Sequence, residues 1–318
     1  MILNHRSPAQ LVRLLATLRD QDPSASLVVH HDKFRFDIDA LRIPDELGVK
    51  LLTSPAPITW GDFSMVDAYW RTLAWLTEHV EFDWVVLLSA QDYPIKPLAR
   101  LHQLLESTDG DALIESMPVA EITIPHDRID VNFRYNYRYV TPSKLRAERH
   151  LPPTVHTRAR AASAFFIDLI NNRQSFVHMY RYPDPLPTRF GVRSRSTPFT
   201  PTVPCWYGSG WPALNFVAAE TIVRYASENA KFMNYYRSVI IPDESVTATI
   251  IGNDPGLDLV RIGLHHVRWS NGVSGHPDVF RESDLEELSR SSQVFARKFD
   301  AGLDSAILDR LDVLLAKG

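Results

Sequence analysis

The residues of this chain best suited to chemistry are the adjacent carboxylates of Pro242-Asp243-Glu244. A carboxylate crowded by a second one at a partly buried strand end has its pKa raised toward neutral pH, which suits Glu244 to take a proton from a hydroxyl. The same pair could instead complement the dipole of a first helical turn. A second polar group closes the run Trp84-Val85-Val86-Leu87-Leu88-Ser89-Ala90-Gln91-Asp92-Tyr93-Pro94-Ile95-Lys96. Five apolar residues in succession suit a strand covered on both faces, and Ser89 to Asp92 then emerge at its carboxyl end, where open α/β sheets bind ligands. Other chemistries lack their motifs. Gly208-Ser209-Gly210 is a glycine-flanked serine without the G-x-S-x-G spacing of a nucleophile elbow, and there is no H-E-x-x-H, P-loop or G-x-G-x-x-G.

Elements that could position these groups are readable along the chain. The first 115 residues alternate strand and helix signals as a parallel sheet requires. Ile2 to His5 reads as a strand. Ser7-Pro8-Ala9-Gln10 then supplies an N-cap, a first-turn proline and a capping-box glutamine for a helix whose Leu11, Leu14, Leu15 and Leu18 share a face. Ser26 to Asp32 and Val49 to Leu52 are the next strands, and Asp62 to His79 is a helix. Trp84 to Ser89 is the central strand, followed by a helix from Pro97 to Glu106 and a strand from Ala112 to Glu115. Pro183 to Pro204 carries six prolines and reads as a loop or partly mobile lid. Later signals are a helix over Leu214 to Tyr225, a strand over Ser238 to Ile241, a helix opening at Pro242, a strand near Leu264 to Trp269, and an amphipathic helix carrying Ile307, Leu308, Leu311, Leu314 and Leu315.

Composition narrows the partners. At 318 residues and 45% hydrophobic content the chain can bury a large core. A net charge of -4 argues against nucleic acid as the main partner, although Arg189, Arg193 and Arg195 are candidate phosphate contacts. One cysteine, Cys205, allows no internal disulfide and no zinc framework. No apolar run reaches the roughly 18 residues of a membrane span, and the first residues lack the apolar core of a signal peptide, so a cytoplasmic location is expected.

The ordered set of His5 with Ser7-Pro8, Asp32, Trp60-Gly61, Ser89 to Lys96, Gly208-Ser209, Pro242 to Glu244, Trp269 and Phe295-Ala296-Arg297-Lys298-Phe299-Asp300 resembles the core-2/I-branching N-acetylglucosaminyltransferases and peptide O-xylosyltransferases. The resemblance implies an α/β fold of GT-A type, one domain in which residues 1–120 form a nucleotide-binding half. Residues 121–318 would form an acceptor-side half with a mobile loop near 183–204. It implies inverting transfer of N-acetylglucosamine or xylose from UDP-N-acetylglucosamine or UDP-xylose to a hydroxyl of a glycan or other acceptor, making a β linkage. Glu244 corresponds to the family's catalytic base, 35 residues after Ser209. Lys298 corresponds to a lysine on the diphosphate, although a solvated lysine between Phe295 and Phe299 would look the same. The family's partner arginine has no single counterpart; Arg268, His276 and Arg281 are candidates. Asp32 corresponds to an aspartate that reads uracil, and Trp60, Gly61 and Ser89 to further donor-side positions; Asp32 as a turn residue and Trp60-Gly61 as a packed turn are the structural alternatives.

On the acceptor side a sugar ring needs an aromatic face and hydrogen-bonding partners, which Trp269, Trp211, Ser209 and Glu115 would offer. Asn271 stands where the family has a tyrosine. No metal or other cofactor is expected. Many glycosyltransferases of this fold class hold a divalent ion on an Asp-x-Asp pair after the central strand. Here the three such pairs (Asp20 and Asp22, Asp37 and Asp39, Asp109 and Asp111) lie elsewhere, and Ser89-Ala90-Gln91-Asp92 takes that place. A catalytically silent sugar-binding protein with the same fold is the competing reading.

Overall fold

Residues 1–5, 8–37, 42–140, 167, 169–171, 174–180, 188–269 and 277–316 are described by the computed structural model. Strands β1 (Ile2–Asn4), β2 (Val28–His31) and β3 (Lys50–Thr53) are parallel. The central run divides into β4 (Trp84–Val86) and β5 (Leu88–Ser89) and is followed by β6 (Asp92–Pro94). Leu87 is the switch between them. Its N–H donates to Pro212 O (3.0 Å) on one side, whereas the Leu88 N–H donates to Met1 O (2.9 Å) on the other. The run expected as one central strand therefore serves two sheets, one ordered β3-β2-β1-β5 and a second that contains β4. In the second, β7 (Ala112–Leu113) and β4 flank β13 (Ala213–Asn215), which is antiparallel to both, and β14 (Leu259–Val260) runs parallel to β7. The result is the mixed α/β architecture expected, with helices on both faces.

The period-two alternation of the strands builds two cores. Leu27, Val29 and Leu88 pack with Leu11, Leu14, Leu15 and Leu18 of the helix Pro8–Gln21. Val28, Val85 and Leu87 face the other way, onto Val66, Tyr69, Trp70, Leu73 and Leu76 of the helix Phe63–His79. Each such leucine or valine withdrawn from water contributes about 1.5–3 kcal/mol, so burial on both faces fixes which way every strand-end side chain points.

Three features depart from the sequence reading. The helix Pro125–Asn136 leads into β9 (Tyr137–Val140), which pairs with β11 (Arg189–Arg193), itself paired with β10 (Val177–Tyr180). Within the stretch expected to be loop from Pro183 to Pro204, whose residues 183–187 lie outside the described residues, Arg189–Arg193 is thus an antiparallel strand; its prolines fall on either side of it. Ser238 to Ile241 is not a strand but a turn, because Ile241 takes a left-handed conformation (φ 49°) that no ladder accommodates. The acidic motif is a single 3-10 turn, Pro242–Glu244, and the α-helix begins only at Val246. The N-cap expected at Ser7 lies outside the described residues.

Candidate active site

Two clamps set the acidic turn. Gly61, with φ of 73°, offers its carbonyl to the Ile241 N–H at 2.9 Å, and the Tyr135 hydroxyl donates to Ile241 O at 2.9 Å. A β-branched residue at positive φ costs on the order of 1–3 kcal/mol, and the two hydrogen bonds hold it there. Trp60 packs against the cluster of Tyr137, Tyr139, Ile240 and Ile241. Trp60-Gly61 therefore meets the site from behind the turn that carries Glu244.

Arg134, from the helix Pro125–Asn136, donates to Glu244 Oε2 at 2.6 Å and to Asp130 at 2.6 Å, with its guanidinium 5.7 Å from the Tyr207 ring centre. Glu244 nevertheless keeps 27% of its side chain exposed, so the carboxylate is anchored yet reachable. Desolvation raises its pKa, and Arg134 opposes that rise. Asp243 beside it is perturbed more: burial, then the charge of Glu244, push it up to about 7. Gly210 makes the close approach of the next segment possible, since a Cβ there would lie 3.3 Å from Asp243 O and 3.4 Å from its Oδ2.

On β12 (Trp206–Gly208) and the turn after it, three more of the expected positions meet. The Ser209 N–H donates to Glu115 O at 2.7 Å, and Ser209 Oγ accepts from the Trp211 N–H at 3.2 Å. The Glu115 carboxylate lies against Gly263, where a Cβ would come within 2.9 Å of Oε2. Trp211 supports Arg297, whose guanidinium lies 4.1 Å from its ring centre. Glu115, Ser209 and Trp211 thus form one wall that touches Asp243 through Gly210 and Arg297 through Trp211.

Arg297 ends β16 (Phe295–Arg297), which pairs with β6 and with β15 (His265–Val267). It donates to Asp92 Oδ1 (2.9 Å) and Ser89 Oγ (3.1 Å), and His265 Nε2 stands 3.4 Å from Asp92 Oδ2. Burial alone would raise the fully buried Asp92 carboxyl, but Arg297 and then His265 outweigh it and hold it below the usual range. The same guanidinium also draws down the pKa of Asp243 and Glu244. Lys298 follows directly, its carbonyl accepting from the Phe280 N–H (3.0 Å) and its N–H donating to Asp278 O (3.4 Å). Two cations in tandem therefore leave this strand, one of them within electrostatic reach of the acidic turn.

Other expected positions are more dispersed. Asp32 is fully buried at the end of β2 and accepts from the Phe34 and Ile58 N–H groups, both at 3.1 Å. Trp269 lies two residues past β15 with 57% of its surface exposed. Of the candidate partner cations, Arg268 is tied to Asp278, Asp284 and Glu287 and lies over Phe280. Arg281 caps the next turn through its N–H to Asp284, and His276 lies outside the described residues, as does Asn271. Sequence reasoning missed Arg134 and Arg297. Arg297 could have been noticed, since it adjoins Lys298; Arg134 shows in sequence only its spacing from Asp130, because Glu244 is 110 residues away.

Among the described residues no three His, Cys, Asp or Glu side chains are grouped to hold a metal ion, and no helix is long and apolar enough to cross a membrane. Of the Asp-x-Asp aspartates, Asp111 accepts from Asn215 Nδ2 (2.7 Å) and the Asp258 N–H (2.9 Å), and Asp22 caps Ser24 and Ala25, while Asp39 lies outside the described residues.

The acidic turn thus presents a reachable carboxylate, Glu244, on which Arg297 at the end of β16 acts electrostatically. The chain belongs to the Core-2/I-Branching enzyme family, whose model matches residues 1–291, and is accordingly a glycosyltransferase. Among solved structures, HddC from Yersinia pseudotuberculosis is 11% identical, with 69% of this chain and 77% of that chain covered and a TM-score of 0.29. The structure of HddC complexed with GMP-PN is 12% identical over the same shares, with a TM-score of 0.28. None of the curated proteins matches the chain.

Proposed function

We propose that the protein transfers N-acetylglucosamine or xylose from its UDP derivative to a hydroxyl of a glycan or other acceptor, with inversion and without a metal ion. Glu244 takes the proton of the acceptor hydroxyl, the acceptor oxygen forms its bond to the anomeric carbon, and the bond from that carbon to the diphosphate breaks on the opposite face. The product is β-linked, and UDP leaves with the bonding pair. Lys298 and Arg297 stabilise the charge that builds on the diphosphate. Asp32, Ser89, Trp60 and Gly61 belong to the donor side. Trp211, Trp269, Ser209 and Glu115 belong to the acceptor side.

The observation that carries this reading is the Asp243–Glu244 turn, desolvated yet reachable, with Arg297 acting on it from the opposite strand end. Support for a metal-free mechanism comes from Asp92. At the carboxyl end of the central strand its charge is already matched by Arg297 and His265, so a divalent ion would have to displace a guanidinium from a fully buried carboxylate. A thermal-shift screen of nucleotide sugars with and without EDTA tests the reading, since a ligand that binds only the native state raises Tm. Stabilisation by UDP-N-acetylglucosamine or UDP-xylose that survives EDTA is expected; stabilisation that depends on manganese would overturn the metal-free part, and a response only to other nucleotides would overturn the donor.

A further inference from the structure

Beside the acidic turn lies a small recess with about 20 Å³ of room for water, lined by Leu3, Val66, Leu87 and Trp211 and by the polar Tyr69, Asp243 and Thr247. Tyr69 Oη and Asp243 Oδ1 are both buried there without a hydrogen-bond partner. Thr247 stands beside Tyr69, near enough to ease the rise that burial gives the phenol, yet the two make no hydrogen bond of proper geometry. A buried donor and a buried acceptor on one space are the arrangement that a single water satisfies, accepting from the phenol and donating to the carboxylate. The space is large enough, since one water needs roughly 10–15 Å³ of such room. Three polar groups converge on it, within the two to four partners an internal water uses.

We propose that Tyr69, Thr247 and Asp243 hold one ordered water in this space, and that Asp243, so anchored, is a positioning residue whose ionisation strengthens Glu244 as the base. The inference rests on the reading of Glu244 given above. Asp243 does not touch the acceptor; it fixes the turn from behind and supplies a second negative charge next to the base when it ionises. The charged and titratable groups that act on the pair among the described residues include Arg134, Asp130 and Tyr135 on the helix Pro125–Asn136, Arg297 on β16, and the phenols of Tyr69, Tyr180 and Tyr207. Arg134 and Arg297 oppose accumulation of protons on the pair, whereas Asp130 favours it, so ionisation of the two carboxyls proceeds in two steps that belong to the pair.

The test uses the full chain, its Tyr69→Phe, Asp243→Asn and Glu244→Gln variants, and UDP release from UDP-N-acetylglucosamine and UDP-xylose as a function of pH. The native profile of kcat/KM should rise in two steps with the upper one near pH 7, Asp243→Asn should lose the upper step with donor KM within about twofold, and Tyr69→Phe should move that step to higher pH. An upper step unchanged in Asp243→Asn overturns the role of Asp243. Thermal melting of Tyr69→Phe judges the water independently of activity. Loss of a satisfied hydroxyl lowers Tm, more at pH 8 than at pH 5, whereas a rise or no change means that the hydroxyl had no partner and overturns the water. Full UDP release by Glu244→Gln would instead sink the base reading while leaving the melting result to decide the water.

Discussion

At the carboxyl end of β5 the Asp92 carboxylate is fully buried and still held below the ordinary range, because Arg297, His265 and Ser89 all answer it. At the Pro242–Glu244 turn burial goes the other way: Asp243 is pushed up to about 7 and Glu244 is raised despite Arg134. Both sites draw on the same guanidinium, yet only the first receives hydrogen bonds from it. Desolvation is thus common to the two regions, and the number of donors that meet each carboxylate decides the sign of the outcome. A carboxylate met from every side is scaffold; one met from a single side keeps the capacity to exchange a proton.

The sharpest way to break this contrast is Glu244→Gln. It should lower kcat/KM by about 10²–10⁴ with a melting temperature close to native, as expected where a base is lost but the turn stays clamped. Asp92→Ala should do the reverse, leaving the half-buried Arg297 guanidinium without its carboxylate at a cost of about 1–3 kcal/mol in urea unfolding. Equal effects of both variants on stability would erase the distinction.

Gly61→Ala probes the clamp between the regions. An alanine at φ of 73° costs about 1–2 kcal/mol and loosens the carbonyl that holds Ile241, so Tm and kcat should fall together. A native kcat would uncouple the Trp60-Gly61 turn from the acidic one.

The smallest effect is in the pH dependence of stability, where the two regions should have opposite slopes. The native pKa of Asp92 is lowered, so its contribution is present above about 3.8 and is lost as pH falls through the native value. That of Asp243 is raised, so the folded form holds its proton longer and stability drains away as pH rises from about 3.8 toward 7. Asp243→Asn should flatten the melting curve of Tm against pH in that window, and Asp92→Asn should flatten it only on the acid side.

Much of the frame was readable from residue order. The leucine spacing of Leu11 to Leu18 and the face of Met65, Tyr69, Leu73 and Leu76 give helices within a residue or two of those observed, because one-sided burial imposes a 3.6-residue period. The three-stranded sheet of β9, β10 and β11 was not legible, since its pairing joins residues scattered from 137 to 193 and one strand sits among prolines. Of the site, Glu244, Ser209, Trp211 and Lys298 stand in short motifs that can be named, whereas Arg134 and Tyr69 stand in ordinary helical text and acquire their meaning only from what folds against them.

What the amino-acid order determined by itself is therefore the alternation of elements, the family, and the short acidic and cationic motifs, all of which depend on neighbours within a few residues. Tertiary structure alone decided that Arg297 closes on Asp92 across 205 positions, that Arg134 reaches Glu244 across 110, and that Asp243 is left with a buried oxygen without a hydrogen-bond partner. The physical reason is that a carboxylate's proton affinity is set by the donors and the dielectric around it in space, and chain separation carries no information about either.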